Sequence, residues 1–370
     1  MLYQLEQFTA DAIEIRRYLH QIPELKYEEK KTSAFIAATL RSYGYDVQEG
    51  VGKTGVVALL DSGKAGKTIA FRADMDALPI LESTGLPYQS KHPGKMHACG
   101  HDGHTATLLL VARILQEVKS KLKGKIKLIF QPAEEGGKGS LAMIEDGVLN
   151  NPRVDAIFGY HNWPNLALNE MATRSGCILA GSGRFEIFIR GQRAHLAMPQ
   201  NGVNPVIIGA GVVKQIENLS IPNTIINVLS FNSGDWKEGT SELVEIVGCY
   251  FVEGEESFNE LKAQIQRIVE SVVFHEFQSP TVNTAQETEL VFAAARNAVV
   301  KQIHRLDSCK MAGEDFSEYL KHVPGCYFLI GAGKSSPSLH TSSYDFPDEI
   351  LGPTAQLMIE IVTEFLQQPT

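Results

Sequence analysis

The sequence of 370 residues is 44% hydrophobic and 21% charged, a composition typical of one large or two medium globular domains. Its 34 Lys and Arg residues against 43 Asp and Glu give a net charge of −9 without a basic stripe, which argues against nucleic acid as a partner. No apolar run approaches the roughly 18 residues that span a bilayer, since Arg113 breaks the stretch TLLLVARIL.

The first part of the chain predicts a mostly parallel α/β sheet. Apolar residues recur at helical spacing up to Leu19 and the run stops before Pro23, and a second helix is predicted over about 27–43, ending at Gly44. Helical segments then alternate with the short apolar runs GVVALLD, TIAFRAD, KIKLIFQ, VDAIFGY and, late in the chain, GCYFLIG. Strands that alternate with helices are typical of a parallel sheet with flanking helices.

The middle of the chain has a different pattern. GRFEIFIRG alternates apolar and polar residues, and it is followed by a helix over about 203–219, the strands NTIINVLSF and ELVEIVGCYF, and a helix over about 255–274. This order predicts a smaller α+β domain with one solvated sheet face. We therefore expect one discontinuous domain made of residues 1–179 and 291–370, interrupted by an inserted domain of residues 180–290.

The cysteines and the N-terminal segment indicate where the protein works. The five cysteines are odd in number and widely scattered, which argues against a disulfide framework. Four are expected to be small buried apolar residues, and Cys99 is the exception. The N-terminal segment mixes acidic and basic residues and lacks the apolar core of a signal peptide, which predicts a cytoplasmic protein.

Reactive side chains follow several of the predicted strands. In open α/β sheets, ligands bind beyond the carboxyl ends of the strands. Each residue alone has an ordinary explanation as a loop histidine, a helix-capping carboxylate or a core cysteine, but five separate segments that deliver such residues to one edge favour a metal centre. These segments hold Asp74 and Asp76, HACGHDGHT (97–105), Glu134 and Glu135, His161, and His340.

The spacing within HACGHDGHT suits metal binding. Glycines around Cys99 and His101 let a tight turn point a thiolate and an imidazole to the same side. These donors suit zinc and similar metals, and Glu135 adds an oxygen that also suits manganese. The candidates exceed the needs of one open catalytic ion, so two ions that share a ligand are the economical interpretation. The candidate ligands are Cys99, His101, Glu135, His161 and His340.

Adjacent Glu134 and Glu135 predict a mechanism. Successive side chains of an extended segment diverge, so one carboxylate can bind metal while the other serves as the general base that metal-assisted hydrolysis needs. The remaining polar residues are expected to orient the ligands or to act as turn and cap residues. They are Asp74, His97, Asp102 and His104.

The motifs HACGHDGHT, QPAEEG, GYHNWP, AGEDF and LHTSSYDFPDE, in this order, resemble those of the di-metal N-acyl-amino-acid amidohydrolases. That family includes hippurate hydrolases, plant auxin-conjugate hydrolases and N-acetyldiaminopimelate deacetylases, and it is related to aminoacylase and the zinc carboxypeptidases. The resemblance covers nearly the whole chain. It implies an α/β domain with two divalent ions, zinc or manganese with cobalt or nickel as alternatives, and a ferredoxin-like lid domain that often mediates homodimer formation.

The resemblance also implies roles for individual residues. It assigns metal binding to the five candidate ligands and general-base catalysis to Glu134. The segment GQRAHLAMPQNGVNP is similar to the family motif GGHAAMP, which makes His195 the residue that stabilises the oxyanion. The implied reaction is hydrolysis of the amide bond of a small N-acyl amino acid to a carboxylic acid and a free amino acid.

Departures from the family pattern cluster in the lid. Arg193 replaces a family glycine, Gln200 stands where a histidine is usual, and GCYF around Tyr250 stands where relatives carry GTVR. The arginine of GTVR is linked to recognition of the substrate carboxylate, for which Arg184 or Arg193 would have to compensate. The NVIP pattern expected upstream is not recognisable in SGDWKEGTSELVEIVG. The sequence therefore predicts an intact metal centre and altered specificity.

Three alternatives stay open at this point. A dipeptidase on the same scaffold would need a group that holds a free α-amine, and the sequence identifies none. A catalytically idle metal-binding relative would not need Glu134. A redox sensor built on Cys99 would need a resolving cysteine nearby in sequence, which is absent.

Overall fold

The computed structural model describes residues 2–234, 240–275 and 277–368, with side chains from residue 5 onward. Part of the stretch in which the NVIP pattern was sought, residues 235–239, lies outside this range. The helices are α1 (Leu2–Gln21), α2 (Lys30–Ser42), α3 (His101–Val118), α4 (Gly139–Glu145), α5 (Pro205–Glu217), α6 (Glu255–Ile268), α7 (Ala285–Asn297), α8 (Ser317–Leu320) and α9 (Leu351–Gln367). The strands are β1 (Asp46–Val51), β2 (Gly55–Asp61), β3 (Thr68–Asp74), β4 (Lys125–Gln131), β5 (Ala156–Pro164), β6 (Glu170–Thr173), β7 (Gly176–Leu179), β8 (Gly181–Arg190), β9 (Thr224–Asn232), β10 (Leu243–Val252), β11 (Val272–Phe274), β12 (Thr281–Asn283), β13 (Gln302–Arg305) and β14 (Gly325–Gly333).

The described chain divides into two compact units. Unit 1 contains the chain up to Ile178, Val282–Asp307, and the chain from Glu318 onward. Unit 2 contains Leu179–Thr281 and Ser308–Ser317. Among the described residues, no helix combines the length and the apolar content that crossing a membrane requires.

A large sheet organises unit 1, with its described strands in the order β1-β2-β4-β3-β5-β14-β6-β13. The central strands are parallel, since β3 pairs with both β4 and β5, and β5 pairs with β14. The pairs β1–β2, β2–β4 and β6–β14 are antiparallel. Every residue of β3 is buried, so both faces of the sheet are covered there. The predicted α/β class with a mostly parallel sheet is confirmed.

Unit 2 contains an antiparallel sheet in the order β11-β8-β10-β9. Along β8, Phe185 and Ile187 are fully buried in a cluster with Val212 of α5 and Leu261 of α6, whereas Glu186 between them is partly exposed. This alternation means that one sheet face packs on the helices and the other is more open. The alternation of apolar and polar residues in GRFEIFIRG therefore corresponds to the buried face and the more open face of this sheet.

Two boundaries differ from the sequence expectation. The helix predicted over 255–274 ends at Ile268, and Val272–Phe274 form β11 because β-branched and aromatic side chains suit its antiparallel pairing with β8. His161, expected after a strand, lies within β5, because parallel pairing with β14 continues to Pro164.

The cysteines correct a further expectation. Cys99 and Cys326 are buried thiols and Cys249 is a partly exposed one, but Cys177 and Cys309 are disulfide-bonded. The expectation that four of the cysteines are simply small buried apolar residues is wrong for these two. They lie far apart in sequence, so local spacing carried no signal of pairing.

Lys127 is a buried lysine within the large sheet. It is 3% exposed in β4, and its Nζ donates to the carbonyl oxygens of Val148 at 2.7 Å and Pro152 at 2.9 Å. Burial lowers the pKa of Lys127 to about 8. The charged form is therefore disfavoured by folding.

We expect Lys127 to make stability rise with pH in the alkaline range. The unfolded chain keeps this proton up to the ordinary pKa of 10.5, whereas the folded chain releases it near 8, so the unfolded state binds more protons between these values. The free energy of unfolding should then rise by up to about 1.4 kcal/mol per pH unit within that window. Urea unfolding of wild type and Lys127→Met across this range should show the difference growing with pH. Lys125→Met, at the partly exposed start of β4, is the control, and a difference that stays flat for Lys127→Met would contradict the expectation.

Candidate metal centre

The turn before α3 brings a thiol and two imidazoles together. Gly100 takes a left-handed φ of +91° as the N-cap of α3, and a Cβ there would lie 2.5 Å from Asn162 Oδ1, so only glycine fits. Cys99 Sγ lies 3.4 Å from His161 Nε2. Donor atoms of Cys99, His101 and His161 all lie within 4.8 Å of one another.

A second donor group shares Cys99 with the first. Donor atoms of Cys99, Glu135 and His340 also lie within 4.8 Å of one another, and His340 Nε2 is 3.1 Å from Glu135 Oε1. The backbone N–H of His340 donates to Ala98 O at 2.9 Å. His340 has a φ of +62°, which is uncommon for a residue with a Cβ. The structure thus holds this histidine in an uncommon backbone conformation where its ring meets a carboxylate.

The donor set fits a divalent metal ion. His101 donates from Nδ1 to Asp76 O at 2.9 Å, and its buried Nε2 has no hydrogen-bond partner among the described residues. A buried polar atom without a partner costs free energy unless a ligand satisfies it. Thiolate, imidazole and carboxylate together are donors that zinc and similar ions accept.

His161 is prepared as a neutral donor. Its Nδ1 donates to Asn162 O at 2.7 Å, which leaves the Nε2 lone pair on the side of Cys99. Burial, with His104 and His101 as like-charged neighbours, holds the pKa of His161 well below its usual range. Neutral imidazole is the form that binds metals.

His101 has the opposite electrostatic environment. Burial lowers its pKa, but the carboxylates of Asp74, Asp76 and Glu135 more than offset this effect and raise it to about 10. The surroundings of the ring therefore attract positive charge, and a divalent cation satisfies that attraction as a proton does.

Two buried aspartates orient this cluster. Asp74 Oδ1 lies 2.6 Å from His104 Nδ1 and 3.8 Å from His101 Nε2, and Asp74 Oδ2 accepts from Arg72 at 2.6 Å. Burial opposes the charge of Asp74, yet the imidazoles and Arg72 hold its pKa well below the usual range. Asp76 accepts from the backbone N–H groups of Glu134 at 3.1 Å and Glu135 at 3.0 Å. Such contacts fix ring tautomers and the orientation of ligands.

The remaining residues that the sequence grouped with Asp74 as orienting residues, namely Asp102 and His97, have different surroundings. Asp102 lies 2.8 Å from His20 Nδ1 and accepts from Arg16 at 3.4 Å, so it faces α1. His97 is buried, and neither of its ring nitrogens has a hydrogen-bond partner among the described residues.

The sequence placed Asp76 at the predicted metal-binding edge without a specific role, and it did not single out Asn162. Asn162 Oδ1 lies 2.5 Å from His104 Nε2, and its Nδ2 donates to Tyr344 Oη at 2.5 Å. The available signals were weak: Asn162 follows a candidate ligand directly, and Asp76 stands two residues after Asp74.

His195 lies in unit 2, outside this cluster of unit 1. Its ring is exposed, and the backbone N–H of Ala197 donates to its Nδ1 at 3.1 Å, which leaves the proton of the neutral ring on Nε2. Arg193 contacts Glu242 at 3.4 Å, and Gln200 is exposed. In β10, Tyr250 is fully buried, with its ring stacked on Phe258.

Comparison with known proteins identifies the family. Residues 70–364 match peptidase family M20/M25/M40, and the chain belongs to this family. It is 40% identical over 343 residues to N-acetyl-L-cysteine deacetylase of Bacillus subtilis (strain 168), covering 88% of this chain and 82% of that protein. It is 33% identical over 389 residues to IAA-amino acid hydrolase ILR1-like 5 of Arabidopsis thaliana, covering 99% and 89%.

A solved structure agrees with this assignment. The YXEP protein of Bacillus subtilis, a dinuclear metal binding peptidase from the M20 family, matches with a TM-score of 0.84 and 29% identity over 98% of this chain and 100% of that one. The resemblance drawn from the motifs is confirmed, and the chain shares its fold with a protein that binds two metal ions.

Cys99→Ser is expected to weaken zinc binding. A neutral hydroxyl replaces a soft thiolate in both donor groups, so zinc affinity should fall by about tenfold or more, with a smaller loss for manganese. Competition against a chromophoric chelator measures both affinities. Cys249→Ser, a partly exposed thiol of β10, is the control. Unchanged zinc affinity in Cys99→Ser would remove Cys99 from the site.

Proposed function

We propose that this protein is a metal-dependent amidohydrolase that cleaves N-acyl amino acids into a carboxylic acid and a free amino acid. The observation that carries the proposal is that two donor groups share Cys99 and that the carboxylate of Glu134 lies beside them. The similarity to N-acetyl-L-cysteine deacetylase and to an IAA-amino acid hydrolase supports amide bonds of this class as the substrate.

Two divalent ions would be held by Cys99, His101, Glu135, His161 and His340. When bound, they supply Lewis-acid polarisation of the amide carbonyl and lower the pKa of water. Zinc or manganese suits the mixed sulfur, nitrogen and oxygen donors, with cobalt or nickel as alternatives.

Glu134 would act as the general base and then as the general acid. Its Oε2 lies 3.9 Å from His101 Nε2, and its side chain is 12% exposed, so the carboxylate stands at the donor cluster with access to solvent. It would take the proton of the attacking water and return it to the leaving amine.

His195 would donate a hydrogen bond to the oxyanion. The N–H of Ala197 occupies Nδ1, so the neutral ring presents Nε2–H as a donor. A donor aimed at the charge that develops on the carbonyl oxygen lowers the barrier more than it strengthens substrate binding.

The proposal also covers the inserted domain, the selection of the substrate and the location of the protein in the cell. Residues 180–290 would form a lid that excludes bulk water from the substrate and supports a homodimer. The changes at Arg193, Gln200 and around Tyr250 would select the acyl group and the amino acid. A cytoplasmic location stays a prediction.

Glu134→Gln is expected to abolish most of the activity while metal binding is kept. The amide cannot take a proton, so kcat should fall by about 10²–10⁴-fold. Amino-acid release is measured with N-acetyl, N-benzoyl and N-succinyl amino acids, and bound metal by elemental analysis. Glu145→Gln, an exposed residue of α4, is the control. Full activity of Glu134→Gln with unchanged metal content would refute the assignment, and release that persists in chelator would refute metal dependence.

His195→Ala should lower kcat by about 10²–10³-fold with a much smaller change in KM, because the lost donor acts mainly in the transition state. Steady-state kinetics on the best substrate of the panel separates the two constants. His275→Ala, another exposed histidine of unit 2, is the matched control. A rise in KM at constant kcat would instead make His195 a substrate-binding residue.

A further inference from the structure

The turn that carries Glu134 and Glu135 is held by carboxylates from two distant parts of the chain. We call residues 132–139 the carboxylate turn. The N–H of Ala133 donates to Glu29 Oε1 at 2.9 Å, and the next two N–H groups donate to the two oxygens of Asp76. Three consecutive backbone donors are thus bound by two buried carboxylates, Glu29 and Asp76.

The carboxylate turn is tightly coiled around Ala133. Ala133 has a φ of +52°, and its carbonyl oxygen accepts from the N–H groups of Gly137 at 3.1 Å and Gly139 at 3.2 Å. A Cβ at Gly139 would lie 1.6 Å from Pro132 O. A residue with a Cβ keeps such a conformation only where its surroundings enforce it. Glu29, which accepts from the Ala133 N–H, is therefore well placed to control the direction in which the side chain of Glu134 projects from the turn.

The side chain of Glu29 does not cap α2, the helix that begins at the next residue. It is the N-cap residue of α2, yet its side chain makes no capping hydrogen bond, and Glu24 instead accepts from the N–H of Thr32 at 2.9 Å. The fully buried carboxylate of Glu29 contacts Thr54 Oγ1 at 2.6 Å and the N–H of Ala133. Burying a carboxylate costs free energy, and no capping hydrogen bond from this side chain offsets that cost here.

Neighbours of Glu29 contact the same turn. Tyr27 Oη donates to Gly137 O at 2.7 Å, and Lys26 Nζ donates to Glu135 O at 3.2 Å. Together with Glu29, these side chains contact the turn at every second residue from Ala133 to Gly137. The segment before α2 is thus fitted to the backbone that bears both carboxylates.

We propose that Glu29 is a positioning residue for the hydrolysis: through the N–H of Ala133 it fixes the backbone from which Glu134 acts on the substrate. This inference rests on the function proposed for Glu134. Glu29 bonds to the turn's backbone and to Thr54, and it acts on the rate through orientation. A displacement of about 1 Å in a catalytic group can cost about 10²-fold in rate.

The first test follows the turn itself in metal-free protein. Hydrogen exchange of peptides that cover residues 132–139 should be at least about tenfold faster in Glu29→Ala, because the Ala133 N–H loses its acceptor. Glu29→Gln keeps an acceptor oxygen, and its amide can donate to Thr54, so it should retain protection. Glu28→Ala, at the exposed neighbouring position, is the control. Unchanged exchange in Glu29→Ala would overturn the proposal.

The second test is kinetic. With metal content unchanged, Glu29→Ala should lower kcat by about 10- to 100-fold and leave KM within about threefold, and Glu29→Gln should restore kcat. If Glu29→Ala does not fold, Glu29→Asp withdraws the carboxylate by one methylene and should change kcat and exchange in the same direction. Wild-type kcat in a variant whose turn exchanges faster would overturn the positioning role.

The outcomes also separate this proposal from the proposed function. If wild type releases no amino acid from any substrate, the amidohydrolase assignment fails. The exchange experiment then still decides whether Glu29 fixes the carboxylate turn, because it needs neither metal nor substrate.

Discussion

The site of unit 1 depends on a set of buried carboxylates next to the carboxyl ends of β3 and β4. Asp74, Asp76 and Glu29 are buried, and each must be matched by donors or by positive charge. Asp74 is matched by His104 and Arg72, Asp76 by two backbone N–H groups, and Glu29 by the Ala133 N–H and the Thr54 hydroxyl. The same contacts that satisfy these carboxylates also fix the groups that would bind metal.

This arrangement gives neighbouring histidines different properties. The rings of His101 and His161 lie 6.2 Å apart, yet the surroundings raise the pKa of His101 and lower that of His161. Carboxylates surround the first ring, and burial beside other imidazoles dominates at the second. Both rings donate from Nδ1 to a backbone carbonyl, so Nε2 is the atom that each offers to the donor cluster.

The predicted metal ligands and the predicted departures from the family pattern lie in different units. The residues proposed to bind metal and to transfer protons belong to unit 1, where few residue types can act as ligands. The departures that the sequence predicts, at Arg193, Gln200 and around Tyr250, lie in unit 2. A pocket that selects an acyl group or an amino acid tolerates many side chains, because shape and polarity can be achieved in several ways.

The sequence by itself determined the long apolar strands β2, β3, β4, β5 and β14 of unit 1 and the residue types of the candidate site, but it did not indicate shorter strands such as β1, β6 and β13. Continuous apolar runs mark buried strands, and metal chemistry restricts ligands to Cys, His and carboxylates. The tertiary structure alone decided that residues 272–274 form a strand and that His161 lies within β5, because both depend on pairing with distant strands. It alone joined Glu29 to Ala133, 104 positions along the chain, and gave Asp76 two backbone donors. Contacts of this kind leave no trace in local spacing, since they are made only when the chain has folded.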